Sequence, residues 1–495
     1  MNREKLLALN NYGKLSILSG MISLLPIVVL PFYPHEVRYA IDFIVPAVLA
    51  FAVGWLFCRF GSTYQPSRFY TVTQRKSTTF VLNAWLLNFI LGAIPFVLGG
   101  QLPPLRALFE SVSGFTTCGL STINVAECPM IFLFHRSLMQ FVGGFGFIVL
   151  FLSIVNDRQS MDLFSAEGHP DKLRPNLQIT TRTILKIYMV LLAVGTGGFA
   201  VMGMPLFDAL NHTMCALSTG GFSTQLASFT DYSSAMDLWL VLLMLLGTTN
   251  TVVLLMAAQR KFKAVYKNTE LRFLLGVLVV SLPIMMLAMH AVSAMSFGEN
   301  FVYSLFNAFS ALSTSGFALG SYEQLPHVVI FLLTLLMIFG GGMGSTAGGL
   351  KLTRVYIFLR TEFKAVYDRL YPKRKITRMH IYRPTGADTI KDEEAVDAVN
   401  YVSLYIIMYC IGVLLTLIFS DCQLHEAMFE FASCLSTVGL SIGVTAPDAS
   451  AGLLIVEIIG MLMGRLEILP VLYALKYGRD GIADLINGRR QNPQA

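Results

Sequence analysis

Long apolar runs that alternate with polar segments dominate the chain. A helix needs roughly 20 apolar residues to cross the hydrocarbon core of a bilayer. Ten runs approach or exceed that length: 15–34, 39–59, 78–99, 130–155, 183–203, 235–258, 272–293, 326–359, 398–420 and 450–475. The segments on one side of these runs hold 32 of the 36 Lys and Arg residues. Because cytoplasmic loops carry the excess of Lys and Arg, the pattern predicts an all-α polytopic membrane protein with both termini in the cytoplasm.

Composition excludes several other classes of protein. Hydrophobic residues make up 55% of the 495 residues and charged residues only 13%, whereas an ordinary soluble domain has about 25% charged residues. A soluble enzyme and a disordered chain are therefore excluded. The net charge of +6 comes from the segments on the predicted inner side, so it gives no reason to expect a nucleic-acid partner. The cysteines lack metal-binding spacing, and a Cys128–Cys422 bridge between outer loops stays open.

Four outer segments contain a related string of residues. Its pattern is an apolar residue, Ser or Thr, Thr, any residue, Gly, and Leu or Phe, and it occurs at Phe115–Leu120, Leu217–Phe222, Leu312–Phe317 and Leu435–Leu440. About twelve residues of helical character, such as Pro104–Phe115 and Glu299–Leu312, lead into each string and are too few to span a membrane. The chain passes down one long helix and up another between strings. The predicted fold is therefore four pseudo-repeated units of helix, re-entrant pore loop and helix around one pore, after a two-helix N-terminal extension.

The shared glycine gives each string a chemical role. Irregular backbone at membrane depth is tolerated only where it lines an aqueous path or is buried in protein. Potassium filters use backbone carbonyls in place of the hydration shell of the ion. Glycine reaches the positive φ angles that aim carbonyls at an axis, and the C-terminal ends of four half-helices favour a cation between them. The sequence predicts a cation filter; the alternative is that the small residues serve only helix packing.

Polar residues recur within the apolar segments. The residue nine positions before each filter glycine is Glu110, His212, Asn307 or Glu430. We interpret these four as caps or as hydrogen-bonding groups between units, and an ion site is the alternative. A polar cluster at 248–251 either lines an inner cavity or bonds between helices.

Further motifs extend this pattern along most of the chain. They are Phe109–Gly119, His135–Ser137 followed by Gly143–Gly146, the glycine-rich Gly340–Lys351, and Gly464–Glu467. These motifs resemble the Trk/Ktr/HKT superfamily of potassium transporters, and the two additional N-terminal helices are similar to the Trk type. The resemblance implies potassium uptake across a bacterial inner membrane, with potassium as substrate and no cofactor in this chain. It also implies contact with membrane lipid, a homodimer with one pore in each protomer, and a cytosolic regulatory subunit that binds NAD or ATP/ADP.

The resemblance further assigns the ligands of the ion. Backbone oxygens of the two residues before each filter glycine hold potassium in the family. The corresponding filter residues here are Thr117, Cys118, Gly119, Thr219, Gly220, Gly221, Thr314, Ser315, Gly316, Thr437, Val438 and Gly439. Some plant relatives with Ser at the first filter glycine favour sodium, so Gly119 favours potassium here. Cys118 departs from the usual Thr-rich first filter; because its backbone is the expected ligand, we expect selectivity to persist while conductance differs.

The eighth apolar run is interrupted. Six glycines fall within residues 340–349, and each costs about 1 kcal/mol in a helix interior, so the helix must unwind there. The resemblance implies an intramembrane loop that blocks the pore below the filter and moves aside as a gate. The predicted gate residues are Gly340, Gly341, Gly342, Gly344, Ser345, Thr346, Gly348 and Gly349.

Arg465 is the arginine near the middle of a predicted span. Such residues usually face a polar cavity and mark function. At about 10 Å and an effective dielectric constant of 20, its charge would raise the energy of a potassium ion by roughly 1.7 kcal/mol, which makes it a pore barrier. The alternative is a structural ion pair with Glu467, although positions two apart do not share a helix face.

The expected domain organisation follows from the repeat. We expect an extension at 1–76, pore repeats at 77–157, 158–262, 263–360 and 398–478, a cytoplasmic linker at 361–397 and a cytoplasmic tail at 479–495. Within transport, a sodium-permeable relative, or one that couples uptake to protons or sodium, stays open. A membrane-embedded enzyme is the distant alternative, because no paired carboxylates, Ser/His pair or HExxH helix supports one.

Overall fold

The computed structural model describes residues 3–61, 74–146, 177–293, 295–322, 325–371, 379–384 and 386–476. Within these ranges the chain is mostly helical. The helices are α1 (Arg3–Leu24), α2 (Ala40–Phe60), α3 (Gln74–Leu98), α4 (Pro104–Phe115), α5 (Met130–Phe145), α6 (Leu177–Val201), α7 (Leu206–Leu217), α8 (Ser234–Thr248), α9 (Thr251–Ala258), α10 (Phe262–Lys267), α11 (Thr269–His290), α12 (Phe297–Leu312), α13 (His327–Ile338), α14 (Leu352–Leu370), α15 (Asp392–Phe419), α16 (Leu424–Leu435) and α17 (Ala451–Arg465). Short 3₁₀ turns lie at Leu25–Val29, Pro34–Tyr39 and Val125–Glu127.

The helices form four units of the predicted kind. Each unit has a long helix, a pore helix and a second helix: α3–α4–α5, α6–α7–α8, α11–α12–α13 and α15–α16–α17. The second helix of each unit packs on the pore helix of the next, as α5 on α7, α8 on α12, α13 on α16 and finally α17 on α4. The packing therefore closes on itself, and the predicted all-α polytopic fold is confirmed.

The second helices are shorter than predicted. Among the described residues six helices are long and apolar enough to cross a membrane, and a seventh results if α8 and α9 are joined across a bend of 112°. The expectation of continuous helices at 235–258 and 450–475 is wrong. The first breaks because the Asn250 side chain caps α9 by accepting from the Val252 N–H at 2.8 Å. The second ends at Arg465, before Glu467 with its φ of 63°. Residues 147–155 of the fourth run lie outside the described part of the chain.

The N-terminal extension docks on the start of α5. The Glu36 carboxylate accepts from the backbone N–H groups of Met130 and Ile131, both at 2.9 Å, where the positive end of the helix favours an anion. Cys128, just before α5, is a free thiol, and so is Cys422. The disulfide that the sequence left open is therefore absent.

The connection between the third and fourth units, predicted as a linker at 361–397, has more structure than a plain linker. Helix α14 continues to Leu370, and strands β1 (His380–Arg383) and β2 (Gly386–Thr389) form an antiparallel hairpin in which His380 pairs with Thr389. Helix α15 begins at Asp392, six residues earlier than the predicted span. Ile381 and Ile390 of this region lie in a small core with Ile357 of α14. The predicted tail at 479–495 lies outside the described residues.

Candidate ion-conduction site

All four pore helices end in the same way. The backbone N–H of the second residue after the C-cap donates to the carbonyl of the residue five positions earlier in the chain, as Cys118 does to Ser113 at 2.9 Å. This is a Schellman motif, whose left-handed position usually holds glycine. Here that position is a threonine in every unit, with positive φ: Thr117 (57°), Thr219 (53°), Thr314 (54°) and Thr437 (52°). A β-branched residue in this region is an outlier that costs about 1–3 kcal/mol and tends to mark a functional site.

The four predicted filter glycines interlock from one unit to the next. A Cβ built on Gly119 would lie 2.2 Å from the carbonyl oxygen of Gly220. The same holds around the ring, with Gly221 against Ser315 (2.4 Å), Gly316 against Val438 (1.9 Å) and Gly439 against Cys118 (2.1 Å). All four glycines have positive φ, between 74° and 96°. In each contact, the glycine of one string lies against the carbonyl of the residue that precedes the glycine of the next string. The four predicted strings therefore come together in a closed ring.

The polar residues nine positions before the glycines bind the segment that follows each predicted filter string. Glu110 accepts from the Ser121 hydroxyl at 3.0 Å, and His212 Nε2 lies 3.1 Å from the Ser223 hydroxyl. Asn307 and Glu430 bond in the same manner to Leu319 (3.1 Å) and to Ser441 (2.8 Å), Ile442 (3.1 Å) and Thr445 (3.0 Å). The four residues do form hydrogen bonds, but these bonds run within each unit, so the prediction that they bond between units is wrong.

Unit 1 adds a buried ion pair to this arrangement. Arg136 Nε donates to Glu110 Oε1 at 2.6 Å, and the two side chains are 2% and 0% exposed. The guanidinium also donates to the Ser223 carbonyl at 3.3 Å and lies over the Phe222 ring at 4.0 Å. Arg136 therefore links the first unit to the segment that follows the second string.

Removing the cation of this pair should destabilise the protein strongly. The Arg136→Met variant leaves the Glu110 carboxylate buried without its partner, and breaking such a pair costs about 3–5 kcal/mol. We expect a large loss of folded protein and a lower unfolding midpoint in detergent. The double variant Glu110→Leu/Arg136→Met removes both charges and should recover part of the loss. A single variant as stable as the wild type would contradict this role.

Gln140 is a filter contact that sequence reasoning missed. Its amide nitrogen donates to the Gly220 carbonyl, and its amide oxygen accepts from the Phe222 N–H at 3.1 Å. Gln140 is fully buried on α5 of unit 1, so it braces the string of unit 2. Its one sequence signal is an uncharged polar residue within an otherwise apolar helical run.

The glycine-rich segment forms a loop between α13 and α14 that touches the filter. Thr346 Oγ1 lies 3.2 Å from Thr219 Oγ1 and donates to the carbonyls of Leu217 and Gly247, each at 3.0 Å. The Gly348 N–H donates to Thr314 Oγ1 at 3.1 Å. A Cβ on Gly348 would lie 2.0 Å from Thr437 Oγ1. The loop therefore meets the filter threonines of units 2, 3 and 4.

Arg465 links the same loop to unit 1. Its guanidinium donates to the Thr346 carbonyl, to the Gly143 carbonyl at 2.7 Å and to the Gly144 carbonyl at 3.1 Å. The nearest filter group is Thr117 Oγ1, at 3.4 Å. The alternative partner Glu467 instead forms a bidentate pair with Arg354, with both contacts at 2.9 Å. The structural ion pair between Arg465 and Glu467 is therefore wrong.

Two other segments bind the loop through hydrogen bonds. Glu270, at the start of α11, accepts from the Met343 N–H at 3.0 Å and from the Thr353 hydroxyl. In the break between α8 and α9, the Thr251 hydroxyl donates to the Gly344 carbonyl at 3.0 Å, and the Gly342 N–H donates to the Thr248 carbonyl at 3.1 Å. The polar cluster at 248–251 is thus a partner of the loop. The pattern gave no reason to connect Glu270 with it.

One family model matches most of the chain. The TrkH model, described as a cation transport protein, covers residues 50–477. The chain belongs to the TrkH family. The Trk system potassium uptake protein TrkG of Escherichia coli strain K12 is 29% identical over 484 residues, which cover 93% of this chain and 95% of that protein. The Trk system potassium uptake protein TrkH of Salmonella typhimurium is 27% identical over 418 residues, which cover 80% and 84%.

A solved structure shares the fold of this TrkH-family chain. The crystal structure of the potassium transporter TrkH from Vibrio parahaemolyticus matches with a TM-score of 0.78 and 24% identity, over 93% of this chain and 98% of that one. The resemblance found from the motifs is confirmed. The family is one of transport proteins, so the membrane-enzyme alternative is wrong.

Proposed function

We propose that this protein takes up potassium through a selective pore at the ring of four filter strings. The observation that carries the proposal is the closed series of contacts in which each filter glycine packs on a carbonyl of the next string. Backbone carbonyls arranged around one axis replace the hydration shell of potassium. The pore helices end directly before these strings, so the negative ends of four helices favour a cation there.

Gly119 favours potassium over sodium as the substrate, because the sodium-preferring pattern has a serine there. Cys118 does not change this expectation, since its thiol lies 3.9 Å from the Ser433 carbonyl and its backbone oxygen is the ring member. A sodium-permeable relative and one coupled to protons or sodium remain the alternatives. The relatives named as potassium uptake proteins, TrkG and TrkH, support potassium.

Uptake of rubidium or potassium in a strain that lacks other potassium systems tests the proposal. We expect growth at low potassium and saturable uptake that a large excess of sodium inhibits only weakly. Sodium competing as well as potassium would favour the sodium-permeable alternative. Abolition of uptake by a protonophore at a fixed potassium gradient in vesicles would favour coupling.

We further propose that the loop at 340–349 is the gate of this pore. The loop contacts the filter threonines of three units, and Arg465, which holds the Thr346 carbonyl, contacts the fourth. Because glycine adapts to many backbone conformations, the loop can change its backbone conformation and leave the inner end of the filter.

Weakening or shortening this loop should raise ion flux. Deletion within 340–349 removes the plug, and Thr346→Val removes the hydroxyl that bonds to Leu217, Gly247 and Thr219. Each lost hydrogen bond is worth about 1 kcal/mol, so we expect rubidium flux into proteoliposomes to rise severalfold. Thr334→Val is the matched control, because its hydroxyl bonds only within α13, to Ile330 at 2.7 Å. Unaltered flux in a well-folded loop variant would count against a gate.

The remaining assignments are proposals of the same kind. We place the protein in the bacterial inner membrane with both termini in the cytoplasm, on the distribution of Lys and Arg. A homodimer with one pore in each protomer, and a cytosolic subunit that binds NAD or ATP/ADP, are what the family resemblance supports. The hairpin β1–β2 supports a route to the gate: the Tyr382 N–H donates to the Thr269 hydroxyl at 2.9 Å, next to Glu270.

A further inference from the structure

Units 1 and 4 differ in charge behind the filter. Gly143 of α5 and Gly464 of α17 each lie against the last carbonyl of their own pore helix, since a Cβ on either would come within 1.9 Å of that oxygen. The residue seven positions before this glycine is Arg136 in unit 1 and Glu457 in unit 4. Unit 4 therefore has a carboxyl group where unit 1 has a guanidinium.

This exchange leaves two carboxyl groups together in unit 4. Glu430 accepts three hydrogen bonds, from the Ser441 hydroxyl and the N–H groups of Ile442 and Thr445. Glu457 Oε1 accepts one, from the Thr445 hydroxyl at 2.7 Å, and its Oε2 is buried with no hydrogen-bond partner among the described residues. Glu430 is 0% exposed and Glu457 is 1% exposed. Thr445 thus touches both carboxyl groups.

The elements packed around the pair supply no compensating cation in the described structure. No Lys or Arg side chain of the described residues bonds to either carboxyl group. The titratable groups that interact with it are Cys434 of α16, whose thiol bonds to the Glu457 carbonyl at 3.1 Å, and Cys118 of unit 1.

Two buried carboxyl groups without a cation cannot both carry charge, because each ionised form repels the other and neither is hydrated. The hydrogen bonds indicate which of the two groups is ionised and which is neutral. Three donors stabilise a carboxylate on Glu430, whereas one donor and a bare oxygen suit a neutral acid on Glu457. We propose that the Glu430–Glu457 pair is a proton-binding site beside the fourth filter string, with its proton on Glu457. Loss of the proton would place a second negative charge behind residues 441–445. The inference does not depend on which ion the pore conducts.

The same substitution at the two positions tests the assignment. Glu457→Gln copies a neutral acid, so we expect it to express and unfold as the wild type does. In Glu430→Gln, the amide NH₂ must face the backbone N–H of either Ile442 or Thr445. Two donors then oppose each other and one hydrogen bond is lost, so we expect a lower unfolding midpoint. A stable Glu430→Gln variant beside an unstable Glu457→Gln variant would overturn the assignment.

Infrared difference spectra of the full-length protein provide the direct measurement. The protonated-carboxyl band of the wild type at neutral pH should lose one component in Glu457→Gln, and Thr445→Val should shift that component without removing it. If a sodium or potassium ion occupies the pair instead, both groups are ionised, the component is absent from the wild type, and the proposal fails. Where the protein transports rubidium, uptake should depend on pH in the wild type and lose that dependence in Glu457→Gln. The spectra decide the proton site even if transport is not of potassium.

Discussion

Replacing Gly316 with alanine should reduce the preference for potassium over sodium by about tenfold or more, equivalent to about 1.4 kcal/mol of discrimination. The added Cβ would lie 1.9 Å from the Val438 carbonyl oxygen, which is closer than any real contact. Either the carbonyl or the glycine backbone must shift, and the contact between the third and fourth strings changes with it. Rubidium uptake at graded sodium concentrations measures the effect.

Gly320 provides a matched control for this substitution. Its φ of 83° is close to the 74° of Gly316, so alanine meets the same backbone strain at both positions. A Cβ on Gly320 has no neighbour nearer than the Tyr303 ring at 3.5 Å. Gly320→Ala should therefore keep the wild-type ion preference. Equal preference in the two variants would contradict a role for the ring of carbonyls in selectivity, and Gly221→Ala, with its 2.4 Å contact, should give a milder loss than Gly316→Ala.

The fold and the four strings were predictable because both depend on local pattern. The length of apolar runs and the side on which Lys and Arg fall reflect the bilayer itself. The spacing of the filter glycines reflects a repeat that every unit must obey. The pore helix Pro104–Phe115 was expected from its twelve residues and is observed with those bounds.

Features that depend on partners distant in sequence were not predictable. The pattern assigned positive φ to the glycines and missed Thr117 and its three equivalents, because the strain on a threonine is tolerated only where the surrounding structure fixes it. Gln140 braces a string 80 residues away, and Glu270 holds a loop 73 residues away. The break after α8 was also not predicted. The carbonyls that it frees, those of Gly247 and Thr248, accept hydrogen bonds from the loop of unit 3, which is distant in sequence.

The ends of three of the second helices share one feature. Gly143, Gly247 and Gly464 each lie against the last turn of the pore helix in their own unit, where a Cβ would come within 1.9–2.8 Å of a carbonyl oxygen. Close packing at that depth brings the ends of α5, α8 and α17 to the inner side of the filter. The last carbonyls of a helix have no partner within the helix and need hydrogen-bond donors. The loop and Arg465 supply such donors at this place.

Arg465→Gln should raise ion flux by more than about tenfold, the opposite of the effect expected from a lost structural cation. The guanidinium lies 3.4 Å from Thr117 Oγ1 and holds the Thr346 carbonyl, so its removal lowers the electrostatic barrier to a cation and releases the loop. At about 10 Å and an effective dielectric constant of 20 the charge alone contributes roughly 1.7 kcal/mol. Rubidium flux into proteoliposomes measures the change.

Arg465→Lys separates the two contributions. Lysine keeps the charge, but it is a point donor that does not reproduce the planar fork of arginine, and so it cannot hold the carbonyls of Thr346, Gly143 and Gly144 together. If flux in the lysine variant stays near the wild type, the barrier is due to the charge. If it rises to that of Arg465→Gln, the barrier is due to the hydrogen bonds that hold the loop. Arg354→Gln is the control, because Arg354 pairs with Glu467 and not with the loop carbonyl that Arg465 binds, so its removal should change flux much less than Arg465→Gln does. Slower flux in both Arg465 variants would instead mean that the arginine supports the structure of an open path.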